Sequence, residues 1–172
     1  MVSPRNLSRE PLFLFAVALI LATIIIVVLI FLHIYRIPFY LIDILGISNS
    51  PVHWLGWAGT LFIGFIVPAY SIVKRYSPTK IRGMLKIHVV GNLLSVTAIS
   101  IHFAHQVTRP ANNYPDLGTG IVLYAAMILL VSTGFMQYFG LAKSKLKILR
   151  FLHPAIALTF YLTIVMHILH GI

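Results

Sequence analysis

The chain has 172 residues, of which 59% are hydrophobic and only 9% are charged, and its mean hydropathy is +0.96. A soluble domain carries roughly 25% charged residues, so this composition excludes a water-soluble globule and indicates a membrane protein. The chain has no cysteine, which excludes disulfides, thiolate-bound zinc and iron–sulfur clusters. Eight histidines are the unusual feature of so apolar a chain.

Five apolar segments are long enough to span a bilayer as helices, which takes about 20 residues. They cover residues 11–33, 53–73, 84–106, 118–139 and 148–170. The first is longer than the apolar part of a secretory signal and no small-residue cleavage site follows it, so we expect it to be retained. We predict an all-α integral membrane protein, a single membrane domain over residues 1–172 built as a bundle of five transmembrane helices.

Basic residues are concentrated in the loops on one side of this predicted bundle. They are Arg5, Arg9, Lys74, Arg75, Lys80, Arg82, Lys86, Lys143, Lys145, Lys147 and Arg150. Only Arg36 and Arg109 fall on the other side, so the positive-inside rule predicts a multi-pass cell-membrane protein with a cytoplasmic N-terminus and an outer C-terminus. We expect the basic loops to contact anionic membrane lipid, with an acidic soluble partner as the alternative. Charges split among short loops argue against nucleic acid.

Two of the predicted helices carry the same histidine pattern, with spacings of 14 and then 3 residues. Its members are His88, His102 and His105 in the third helix and His153, His167 and His170 in the fifth. The two helices run in the same direction because one crossing separates them. His88 and His153 therefore share one depth near the cytoplasm, and His102 and His167 share another nearer the outside.

This spacing suits two metal ligands on one helix face. Fourteen residues rise about 21 Å and return to within about 40° of the same face. Two such helices can hold two stacked macrocycles, because haem iron accepts histidine at both axial positions. We predict two haems b between the third and fifth helices. His88 and His153 would be the axial ligands of the inner iron, and His102 and His167 those of the outer iron; no catalytic residue is predicted.

The remaining histidines are open to other readings. His105 and His170 lie about 100° around the helix from the inner histidine, so they are the second choice as outer iron ligands. They could instead contact haem propionates or form a second metal or quinone site. His33 and His53 lack partners at a fixed spacing, and we expect them to be hydrogen-bonded interior residues.

Other residues near the proposed ligands bear on the same hypothesis. Gly91, one turn from His88, would let a macrocycle approach the backbone, and ordinary helix packing is the equal alternative. Pro154 biases His153 away from helical geometry, which predicts a helix start or a kink there. Gly118-Thr119-Gly120 is no nucleotide-binding motif, because the third glycine and the preceding strand are missing. The candidates for neutralising haem propionates are Arg82, Lys86 and Arg150 inside and Arg109, Asn112 and Asn113 outside.

The matched pairs, with Leu152-His153 after a basic loop and Val165-Met166-His167 at the far end, resemble the ferric-reductase-like transmembrane domain. That family includes the membrane part of NADPH oxidases, and the resemblance covers roughly residues 84–170. It implies two b-type haems held by His88 with His153 and by His102 with His167. Diheme cytochrome b of quinol-oxidising complexes shares this logic.

The sequence departs from the family pattern in three ways. It has five predicted helices where the family usually has six, Pro154 where a basic residue often follows the ligand, and no FAD- or NADPH-binding sequence before Ile172. We therefore expect electrons to come from a separate protein or from quinol.

Three functions follow as hypotheses. The first is a b-type diheme cytochrome that moves electrons across the membrane as a subunit of a respiratory or other redox complex, with a quinone or a soluble electron carrier as its donor. The second is a stand-alone reductase of ferric iron, another metal or oxygen at the outer face. The third is a non-redox accessory or metal-binding membrane subunit.

Overall fold

A computed structural model of the protein describes residues 11–37, 40–44, 47–109 and 117–171, the side chains of Ile47, Ser48 and His170 excepted. Long helices make up most of these ranges, and we number them α1 (Pro11–Phe31), α2 (Pro51–Tyr76), α3 (Ile81–Val107), α4 (Gly118–Phe139) and α5 (Leu146–Gly171). All five are long and apolar enough to cross a membrane. The prediction of an all-α, multi-pass membrane protein is confirmed at this level. The predictions made for Asn112, Asn113 and the imidazole of His170 lie outside the described residues.

The structure divides into two ends. We call the end with the α2–α3 and α4–α5 connections the basic end, and we call the other the opposite end. The exposed cations of the basic end are Lys74, Arg75, Lys80, Arg82, Lys86, Lys143, Lys145, Lys147 and Arg150. Helices α2 and α3 extend a few residues beyond their predicted apolar segments here, because a helix can continue past the hydrocarbon once its side chains reach water and headgroups.

The α1–α2 connection holds the only strands of the described residues, which the sequence analysis did not predict. Strands β1 (Ile42–Ile44) and β2 (Ile47–Asn49) pair antiparallel, and the Trp54 indole N–H donates to the Ile42 carbonyl at 3.1 Å. Helix α2 then begins at Pro51, with the Ser50 hydroxyl accepting from the His53 backbone N–H at 3.3 Å. Proline suits this first helical position because its missing N–H would have no helical partner.

His33 terminates α1 rather than occupying an interior position. Its φ is 55°, in the left-handed region typical of the residue just past a helix end. The Ile34 N–H then reaches back to the Leu29 carbonyl at 3.0 Å, and the His33 side chain is exposed. The interior position expected for His33 is therefore wrong.

Helix α5 begins at Leu146 and continues through Pro154 to Gly171. Of the two outcomes expected at Pro154, the helix start is therefore wrong, because His153 lies within the helix, and the kink stays a prediction. Proline removes one backbone hydrogen bond, to the carbonyl four residues earlier. Neighbouring helices make such a loss tolerable inside a membrane.

Helix α3 is the centre of the packing. Helices α1 and α2 pack along it, and α4 packs against both α3 and α5. In the described part of the chain α5 packs its backbone along α4 and not along α3. The backbones of the two histidine-bearing helices are therefore spaced apart, and they meet through side chains.

A buried apolar layer separates the two ends of the bundle. It contains Ile63, Val96, Ile99, Ala126, Met127, Leu130, Phe160 and Ile164, from α2, α3, α4 and α5. Phe160 is only 1% exposed and lies seven residues from both His153 and His167. The Tyr161 hydroxyl donates to the Ile63 carbonyl at 2.8 Å, which ties α5 to α2 at this depth.

A cavity of about 490 Å³ lies between α1, α3 and α4. Its lining is mostly aliphatic, and a Thr23–Thr97 hydroxyl pair 2.8 Å apart joins α1 to α3 beside it. None of the described histidines lines it, so this space is separate from the candidate ligand sites.

Candidate functional site

Histidines of α3 and α5 come together at two levels. His88 and His153 lie within electrostatic range of each other at the basic end. His102 and His167 do so toward the opposite end. These are the partners that the 14-residue spacing pairs. We refer to them as the basic-end pair and the opposite-end pair.

The imidazole of His88 is framed by residues of α2 and α3. Tyr70 stacks on it with ring centroids 4.9 Å apart and an interplanar angle of 26°. The Asn92 amide nitrogen lies 3.4 Å from Nδ1 and 3.3 Å from Nε2, while Asn92 Oδ1 is buried without a partner. A buried carbonyl oxygen without a hydrogen bond is costly, so a hydrogen-bond donor beside Asn92 Oδ1 would be stabilising.

His153 is held by α4. Thr133 Oγ1 lies 3.1 Å from its Nδ1, and the same hydroxyl donates to the Leu130 carbonyl at 2.9 Å. Gly134 underlies the ring, since a Cβ at this position would lie 2.9 Å from His153 Cε1. A side chain at Gly134 would displace the imidazole, so glycine makes this contact possible.

His102 is held by α2 in a similar way. Its Nδ1 lies 3.2 Å from the Val52 carbonyl oxygen, and a Cβ at Gly56 would lie 2.9 Å from its Cγ. A carbonyl oxygen only accepts, so Nδ1 must carry the proton. In the neutral ring Nε2 then keeps the lone pair with which a histidine binds a metal.

His167 repeats the arrangement in the part of α4 toward the opposite end. Thr119 Oγ1 lies 3.0 Å from its Nδ1, and a Cβ at Gly120 would lie 3.5 Å from its Cε1. That distance is an ordinary contact, so this glycine is less tightly required than Gly134.

His53 joins the opposite-end pair, which the sequence analysis did not foresee. Its ring packs edge-on against His102 with centroids 4.9 Å apart. Its Nδ1 lies 2.9 Å from Ser50 Oγ, and Gln106 Nε2 lies 3.3 Å from both ring nitrogens. The hydrogen bonding expected for His53 is confirmed. The spacing of the histidines does not predict that His53 lies beside His102. The sequence feature that indicates it is Ser50-Pro51, which starts α2 at the depth of His102.

His105 lies beside Arg109 and the Ile37 carbonyl, and it is 9% exposed. Its Nδ1 and the neighbouring Gln106 Oε1 are buried without hydrogen-bond partners. The polar atoms that the described residues leave buried and unsatisfied thus all lie close to one of the two histidine levels. A ligand with polar groups would satisfy them.

Gly91 packs against α2. The ring of Phe62 occupies the space where a Cβ of Gly91 would lie. Gly91 therefore serves helix packing. The other role expected for it, to leave space for a macrocycle beside the backbone, is wrong because Phe62 fills that space.

A repeated Thr-Gly pair on α4 is the functional feature that the sequence analysis missed. Thr119-Gly120 and Thr133-Gly134 lie 14 residues apart, the separation of His153 and His167. Comparing spacings among threonines and glycines as well as histidines would have found it.

The pair of imidazoles at each level is a donor set suited to haem iron. The donors are paired imidazoles from helices whose backbones are spaced apart, and three of the four rings have Nδ1 beside an oxygen of a neighbouring helix. Among the described residues, no group of three or more His, Asp or Glu side chains is placed to hold a metal ion. One imidazole on each side is the ligand set that a bis-histidine haem requires.

Comparisons with known protein families, with curated proteins and with solved structures found no match to this chain. The functional argument therefore rests on the geometry of the two histidine pairs.

Proposed function

We propose that the protein is a b-type diheme membrane cytochrome that carries electrons across the bilayer as a subunit of an oxidoreductase complex. The observation that supports it is that His88 lies within electrostatic range of His153, and His102 within that of His167, at two depths. About 21 Å of helix rise separates the levels. Two sites at this separation divide electron transfer across a hydrocarbon core of about 30 Å into short steps.

The four histidines are suited to iron because their environments favour the neutral ring. They lie inside membrane-spanning helices, where a charged imidazolium is costly. The Val52 carbonyl accepts from Nδ1–H of His102, and the Thr133 hydroxyl is placed to accept from Nδ1–H of His153; this arrangement leaves Nε2 as the coordinating atom of both histidines. Ligating histidines in proteins commonly have their second nitrogen fixed in this way.

When bound, haem supplies the one-electron chemistry; the chain supplies ligands, orientation and a dry surrounding. The layer around Phe160 and Met127 is buried between the levels and keeps water from crossing. The basic end has exposed cations and no acidic residue in its α2–α3 and α4–α5 connections. We propose this end as the docking side for an electron donor, a soluble acidic carrier or another subunit that delivers electrons from quinol.

A reduced-minus-oxidised absorption spectrum of the detergent-purified protein, with pyridine haemochrome quantification, tests the proposal. We expect two haems b per chain. His88→Ala should remove one and His102→Ala the other, while His33→Ala, an exposed histidine outside both pairs, should keep both. Protein purified from its native membrane without haem would overturn the proposal.

A second candidate function is a reductase that delivers electrons to ferric iron, another metal or oxygen at the outer face. The polar cluster around the opposite-end pair favours it: His53 contacts His102, and His105 and Gln106 have buried, unsatisfied atoms. Once haem is established, reduction of an added acceptor by the isolated protein distinguishes the two. A self-sufficient reductase should lose acceptor reduction in His53→Ala or Gln106→Ala, whereas a pure electron-transfer subunit should show little activity without a partner.

A further inference from the structure

The two Thr-Gly pairs of α4 match the two proposed ligands of α5 in depth and in contact. Thr119 and Thr133 lie 14 residues apart, so they return to within about 40° of the same face after a rise of about 21 Å. Because α4 and α5 are antiparallel neighbours, the outer pair meets His167 and the inner pair meets His153.

The hydrogen bonding of Thr133 determines which nitrogen of His153 carries the proton. The Thr133 hydroxyl has one proton, and backbone carbonyls of Leu129 and Leu130 lie 2.9 Å away as its acceptors. With its proton donated to one of these carbonyls, the hydroxyl oxygen is left to accept from Nδ1–H of His153, 3.1 Å away. This arrangement leaves Nε2 of the neutral ring deprotonated.

The glycine of each pair sets how close the ring lies to α4. At Gly134 an added Cβ would be 2.9 Å from His153 Cε1, closer than side chains approach one another. At Gly120 it would be 3.5 Å from His167 Cε1, a normal contact. The two positions thus share one geometry but differ in how tightly it is packed.

We infer that α4 is a positioning element for α5, in which Thr133 holds the imidazole of His153 as the Nδ1–H tautomer, Thr119 fixes the orientation of His167 through its Nδ1, and the adjacent glycines admit the rings. Thr133 and Thr119 act through the histidines and are positioning residues. Their effect on iron coordination rests on the proposed function, whereas their effect on the imidazoles themselves does not.

The test compares Thr133→Val, which keeps the shape but removes the hydroxyl, with Thr133→Ser, which keeps the hydroxyl. We expect Thr133→Val to weaken haem affinity at the basic-end pair by roughly 10- to 100-fold, the usual effect of losing a partner of a ligating histidine. The midpoint potential of that haem should rise, since a ligand that no longer donates from Nδ1 is less basic and favours ferric iron less. Thr133→Ser should restore both values. Thr159→Val is the matched control, because Thr159 also donates to a carbonyl four residues earlier but is exposed and contacts no histidine.

Ring-nitrogen NMR of the full-length protein, prepared without haem and labelled in histidine, supplies a readout that does not depend on activity, because iron on Nε2 would itself fix the proton on Nδ1. We expect His153 to be the Nδ1–H tautomer in the wild type and in Thr133→Ser, and to lose this preference in Thr133→Val. The glycines give a second comparison, since Gly134→Ala should disturb the His153 signal while Gly120→Ala leaves the His167 signal nearly unchanged.

The outcomes separate the inference from the proposed function. A wild type with two haems, together with a Thr133→Val variant unchanged in affinity, potential and tautomer, would overturn the inference alone. A wild type without haem would overturn the proposed function, and the NMR comparison would then decide the inference by itself.

Discussion

At the scale of single residues, the proposed ligands are distinguished by what holds their second nitrogen and what lies under the ring. Three of them have Nδ1 beside an oxygen of a neighbouring helix and a glycine against the ring. His88 is the exception, with Tyr70 stacked on it and Asn92 beside it. The Val52 carbonyl determines the tautomer of His102, and the Thr133 hydroxyl, which also has backbone carbonyls as acceptors, favours the same tautomer of His153. The oxygens lie one helix away from the rings, so a search limited to the histidines of α3 and α5 does not reveal them.

Gly56→Ala tests the packing of one of these rings. A Cβ there would lie 2.9 Å from the His102 ring, so the imidazole or the α2–α3 contact must shift. We expect a destabilisation of about 1–3 kcal/mol, the usual cost of overpacking, and loss of the haem proposed for the opposite-end pair. Thermal unfolding in detergent and haem quantification measure the two effects.

Gly64→Ala is the control for this change. It lies on the same helix with open space around it, and alanine favours helix by about 0.5–1 kcal/mol over glycine. Equal loss of stability in both variants would show that the effect comes from the helix backbone and not from the His102 contact.

At the scale of elements, each helix that carries proposed ligands packs along a helix that supports them. Helix α2 supplies Val52 and Gly56 to α3, and α4 supplies Thr119, Thr133 and their glycines to α5. The Gln137 amide also donates to the Leu149 carbonyl at 3.0 Å, which joins α4 to α5 near the basic end. The arrangement is two helix pairs whose ligand-bearing members face each other through side chains.

Phe160→Ala tests the layer that separates the two levels. The ring is only 1% exposed and belongs to the central apolar cluster, so its removal should cost about 3–5 kcal/mol. Because Phe160 lies seven residues from both His153 and His167, we expect haem content at both levels to fall.

Phe151→Ala should leave stability and haem content nearly unchanged, since Phe151 is on the same helix but 74% exposed. Unfolding in detergent compares the two variants. A Phe160→Ala variant as stable as Phe151→Ala would contradict the packing role given to this layer.

The elements that the sequence predicted well are those with a long, uniform signal. Twenty or so apolar residues specify a spanning helix almost regardless of order, and all five were placed within a few residues. The β1–β2 hairpin was missed because three-residue strands are too short for an alternating pattern. Pro154 predicted a helix start that the structure does not have. The local bias of a proline is overridden here because the packing of α5 along α4 holds the helix together. The positions of His53 and of the Thr-Gly pairs beside the proposed ligands depend on which helices are neighbours. Residue spacing along one segment does not give this information.

At the scale of the whole molecule, the two ends of the bundle differ in charge. Nine exposed cations occupy the connections and adjoining helix ends of the basic end, from Lys74 to Arg150, while Arg36 and Arg109 are the basic residues of the α1–α2 and α3–α4 connections. Translocating a short cationic loop is disfavoured, so such loops stay in the cytoplasm. The prediction is that His88 and His153 lie on the cytoplasmic side and that electrons delivered there leave through His102 and His167.

The absence of cysteine makes this orientation directly measurable with single introduced thiols. Ser144→Cys lies on the exposed short turn Lys143–Lys145 of the basic end, and Leu41→Cys lies at an exposed position before β1 at the opposite end. A membrane-impermeant maleimide added to intact cells should label Leu41→Cys and should label Ser144→Cys only after the membrane is opened. The reverse pattern would place the basic end outside. The proposed donor side and acceptor side would then exchange, while the pairing of the histidines would stand.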